Sequence, residues 1–107
     1  MITENQVQEA LDWMIKNEDA LAAAKAAYHD LDRFSKTIKA ELMSKISSNM
    51  SVAARETEAL ANEEYKTHLD NLRHAEEEYL KLEYKMDHNK LICQLWQTIS
   101  ANKRQSV

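Results

Sequence analysis

Three histidines, His68, His74 and His88, share one stretch of the chain with many carboxylates. Glu64 and His68 are four residues apart, as are His74 and Glu78. On a helix that spacing puts both side chains on one face, where they can pair or hold a metal ion. A carboxylate-bridged centre in a helical bundle needs Glu-x-x-His motifs. No histidine here has Asp or Glu three residues before it, and His-Glu-x-x-His is absent. A single cysteine, Cys93, excludes a cysteine-rich zinc site. These histidines are therefore expected to form surface ion pairs, with no metal and no other cofactor. A nucleophile would need Cys93 or a serine beside an oriented histidine and carboxylate. Cys93 lies among Leu91, Ile92 and Leu95 and reads as a packing residue. Glycine-rich phosphate loops are impossible in a chain with no glycine. No catalytic constellation is expected, and no small-molecule substrate.

The basic residues offer a different chemistry. Arg33, Lys36 and Lys39 recur at intervals of three, with Lys25 two turns earlier, Lys45 beyond and Phe34 adjacent. Cations and an aromatic ring together can bind single-stranded nucleic acid through phosphate contacts and base stacking. The same residues can instead pair with acids of another helix, such as Glu76, Glu77 and Glu78. The net charge of −4 argues against a dedicated duplex-DNA binder. Charge is nonetheless uneven. Arg33 to Lys45 carries four bases against Glu41 alone, whereas Glu56 to Asp87 is acidic. Such polarity suits self-association.

The elements that position these residues follow from an absence. The 107 residues contain neither glycine nor proline, where average usage is about 7% and 5%. Tight turns and hairpins depend on those two residues, so the expected fold is all-α with few, simple connections. Charged residues at 30% and apolar residues at 44% describe an ordered rather than a disordered chain.

Thr3 and Gln6 make a capping box before a first helix at about 4–16. Asn17-Glu18-Asp19 either ends that helix or is a polar step in a continuous one. From 18 to about 46, Leu21, Ala24, Tyr28, Leu31, Ser35, Ile38 and Leu42 form a heptad seam. Ser47 to Ser51 is the best loop. Ser51 and Asn62 are N-cap candidates for helices at about 52–60 and 63–102. In the last helix Leu72, Ala75, Tyr79, Leu82, Met86, Asn89, Cys93 and Trp96 alternate by three and four, with Tyr65 and Leu69 extending the pattern upstream. Asn89 either fixes register inside this seam or is rotated out to solvent. Trp13 and Trp96 read as packing residues.

A forty-residue helix is about 60 Å long, whereas a compact domain of this size has a radius of gyration near 13 Å. The expected architecture is one helical domain over 1–107, an extended antiparallel hairpin or bundle with coiled-coil seams. A homo-oligomer is expected to complete the seam of Leu72, Tyr79, Leu82, Met86, Asn89, Cys93 and Trp96. The longest apolar runs, such as Ala20 to Ala24, are too short to cross a membrane. No secretory pattern opens the chain, and cysteine usage points to the cytoplasm.

Three segments carry a resemblance. They are Leu31-Asp32-Arg33-Phe34-Ser35-Lys36-Thr37-Ile38-Lys39-Ala40-Glu41-Leu42-Met43, then Ala53-Ala54-Arg55-Glu56, then Tyr65-Lys66-Thr67-His68-Leu69-Asp70-Asn71-Leu72-Arg73, with Trp96 to Arg104 also similar. Together they resemble small all-helical proteins of phage and prophage early regions. In plan, the chain is also similar to the recombination mediators of T-even phages. The resemblance implies an oligomer acting as an accessory of DNA recombination or replication, touching single-stranded DNA or a recombination enzyme. Arg33, Lys36, Lys39 and Lys45 are the expected nucleic-acid contacts. The alternative is a non-enzymatic coiled-coil adaptor, or a phage-encoded inhibitor of a host protein.

Overall fold

The computed structural model describes residues 1–105, and all regular structure among them is helical. Three helices follow in order: α1 (Glu4–Ser44), α2 (Val52–Leu60) and α3 (Glu63–Gln105).

The helix ends are built by side chains. The Thr3 hydroxyl accepts from Gln6 N–H, and the Gln6 amide oxygen accepts from Thr3 N–H, satisfying two otherwise orphaned donors. Ser51 caps α2 by accepting from Ala54 N–H at 3.1 Å. The Asn62 side-chain oxygen accepts from Glu64 N–H at 2.8 Å at the start of α3. Glu63 and Glu64 in the first turn, with Lys103 and Arg104 in the last, match the polarity of the helix dipole.

One expected boundary is absent. The helices anticipated at 4–16 and 18–46 are a single helix through Asn17. The Asn17 amide nitrogen donates to the Trp13 carbonyl oxygen at 2.9 Å. Its polar group is thus satisfied along the helix rather than by a turn, and the alanine-rich stretch beyond favours continuation. The helix stops at Ser44, two residues before the expected end. There the Lys45 and Ile46 amides bond three residues back, to Leu42 and Met43 carbonyls, closing the last turn tightly.

Two compact units divide the chain. The first joins Met1–Ala23 to the chain from Tyr79 onward. Its two helical runs are antiparallel: Gln6, Ala10 and Trp13 lie against Ile92, Asn89 and Lys85. Ala10, Met86 and Asn89 are buried here. The Lys85 ammonium sits 5.2 Å from the centre of the Trp13 ring, a cation–π contact worth about 0.5–1 kcal/mol.

The second unit is Ala24–Glu78 and combines the rest of α1, all of α2 and the start of α3. Pairing is again antiparallel: Ser35 meets His68 and Tyr28 meets Glu76. Leu42, Ala59 and His68 are buried, and Ala59 of α2 is wholly inaccessible. Among the described residues no large side chain is fully buried in either unit. The heptad pattern makes seams, and two or three helices per unit cover each seam on one side only.

Candidate functional site

The basic residues of α1 do not form one continuous face. Arg33 reaches Asp30 on its own helix at 3.4 Å, with both side chains exposed. Lys39 is half-buried and pairs with Glu56 of α2 at 3.1 Å. Lys36 and Lys45 are exposed. Phe34 is exposed beside Arg33, Asp30 and Thr37 in a depression of about 250 Å³. Two residues turn a helix by about 200°, so Lys36 projects away from the Phe34 ring. The structure thus brings Phe34 and Arg33 together and turns Lys39 toward α2. The acid that meets Lys39 is Glu56, while Glu76 meets the Tyr28 hydroxyl. That carboxylate, partial burial and Asp32, in that order, hold the phenol above the ordinary tyrosine value.

The histidine expectation needs correction at His68. This residue was expected on the surface beside Glu64, and it is buried. Its Nε2 and the Ser35 hydroxyl are 2.8 Å apart, and the Tyr65 ring lies 6.1 Å from its own. The heptad rhythm carries the reason: counting back from Leu72 by four and three gives His68 and Tyr65. Leu69, expected to extend the seam, falls outside it and is exposed. A serine bonded to an imidazole is part of a nucleophile arrangement, which also needs a group orienting the ring. No carboxylate is hydrogen-bonded to His68 among the described residues, and no cluster of three metal-ligating side chains occurs among them.

The α3 seam faces α1 in both units. Met86 and Asn89 are buried, and Leu72, Tyr79, Leu82, Cys93 and Trp96 are half-buried. Asn89 therefore lies inside the seam, not rotated to solvent. Its side-chain nitrogen is buried without a hydrogen-bond partner. It lines a groove of about 330 Å³ with Gln6, Glu9, Ala10, Trp13, Lys85 and Ile92.

Sequence reading missed a second apolar stripe. Tyr84, Leu91 and Leu95 are 66%, 51% and 45% exposed, and Leu80 is half-buried. Tyr84 and Leu91 each stand two residues from a buried seam position, Met86 and Asn89, and so about 200° around the helix from it. The C-terminal half of α3 is consequently apolar on two opposite sides. Leu11 and Ile15 of α1 are also exposed. The signal was present in the sequence as the seven-residue interval from Tyr84 to Leu91 with a leucine four residues outside each end. It was masked by the stronger seam.

No family model, no curated protein and no solved structure matches this chain.

Proposed function

We propose that this protein is a non-enzymatic helical interaction module whose long helical faces associate, first of all with copies of itself. One observation carries the reading: large apolar side chains are exposed outside the intramolecular seam, while no large side chain is fully buried among the described residues. Light scattering over a dilution series tests this. Association that reverses on dilution is expected, and one-chain mass throughout would refute it.

A second reading is favoured by Phe34. An exposed aromatic ring beside Arg33 has two of the ingredients of a single-strand stacking platform, a base-sized apolar face and a cation next to it. Together with the resemblance to phage early-region proteins, this supports a role as a recombination accessory that touches single-stranded DNA. Titration of labelled single-stranded DNA at low salt decides the matter. Binding that Arg33→Glu with Phe34→Ala abolishes would favour this reading, since both side chains are exposed. Absent binding, or binding indifferent to those changes, would leave a protein-docking adaptor.

A further inference from the structure

From the Tyr84 stripe we infer that a second copy of this chain docks on the outer face of α3, antiparallel, about a two-fold axis between Asp87 and His88. The inference rests on the self-association reading above and adds the face, the orientation and the register.

A two-fold interface is self-complementary: if residue i meets residue j of the partner, then j meets the partner's i. An antiparallel helix pair meets that condition only if its contact residues read the same in both directions. Leu80, Tyr84, Leu91 and Leu95 do, being spaced four, seven and four. With the axis at the centre of that pattern, Leu80 lies opposite the partner's Leu95, and Tyr84 opposite the partner's Leu91. Each bulky tyrosine then meets a leucine. A parallel pair would stack tyrosine on tyrosine. Asp87 and His88 are exposed and fall at the two rims of the stripe, where water still reaches them.

Charge favours the same orientation. The helix is acidic at Glu76-Glu77-Glu78 and basic at Lys103 and Arg104. Antiparallel packing keeps the two acidic Glu76-Glu77-Glu78 clusters apart and opposes the helix dipoles, whereas parallel packing sets like charges side by side. The intramolecular seam, on the opposite side of α3, is left intact.

Two measurements on the full chain test this. Sedimentation equilibrium of Leu91→Glu should give the mass of one chain, with helicity by circular dichroism unchanged because the side chain lies outside the seam. Nitroxide labels at Asp87→Cys or Thr98→Cys, in a Cys93→Ser background, should then give distances that sense direction. Asp87 labels should lie within about 20 Å of each other. Thr98 labels should lie beyond about 30 Å, since each is some ten residues from the axis at 1.5 Å per residue. Short distances at both positions would mean parallel packing and would overturn the inference. So would an oligomer that Leu91→Glu leaves assembled, though that result would keep the self-association reading. A wild-type chain that is monomeric at every concentration would overturn both.

Discussion

Two side chains show how narrowly this chain satisfies its polar groups. Asn89 is 7% exposed and its amide nitrogen has no partner. A buried unsatisfied donor costs about 1–3 kcal/mol. Replacing Asn89 with leucine, similar in volume, should raise the unfolding free energy by about 1–2 kcal/mol in urea titrations. A loss of stability would mean that the amide is bonded to an ordered group. Tyr28 offers a second test. The Glu76 carboxylate, partial burial and Asp32 keep its phenol protonated beyond the ordinary range. A raised folded value means that this favourable contribution is complete below the unfolded tyrosine value. It is lost as pH climbs through the folded one. Ring carbon shifts followed by NMR should place the Tyr28 midpoint above the value of a free tyrosine side chain, and Glu76→Gln should lower it. A midpoint that ignores the substitution would contradict the assignment to Glu76.

At the scale of elements, capping residues take over the work that glycine and proline do elsewhere. Ser51 and Asn62 stop and restart the helix around α2, and both were legible because Ser and Asn compete for backbone hydrogen bonds. Ser51→Ala should cost about 1 kcal/mol. Hydrogen exchange should show faster opening of α2 amides, with the amides of α1 near the Thr3 cap unaffected. Equal acceleration everywhere would mean that α2 has no separate stability. Asn17 was the ambiguous case: the same residue type that caps α3 lies inside α1, bonded to Trp13. Sequence alone does not distinguish a side chain that bonds forward, as a cap, from one that bonds back along the helix. The burial of His68 was likewise legible only through register, because its residue type points to the surface and its heptad position points inward. The outer stripe on α3 stayed hidden for the opposite reason. A helix that is apolar on two opposite sides shows little net amphipathicity, so only the spacing within each stripe reveals it.

For the whole molecule, composition made the helical class plain and the seams marked the packing faces, while the antiparallel pairing itself is seen in the contacts of Ser35 with His68 and Trp13 with Lys85. The candidate site was less legible. Cation spacing marked Arg33, Lys36 and Lys39 as one group, yet α2 draws Lys39 to Glu56, and the turn of the helix itself sets Lys36 away from Phe34. What survives is a chain whose helices bury one face each and leave further apolar side chains uncovered. Sedimentation equilibrium of the wild-type protein at high micromolar concentration tests this most directly. A mass of twice 12.4 kDa or more, falling toward that of one chain on dilution, is the predicted result. A constant mass of 12.4 kDa across the series would contradict it.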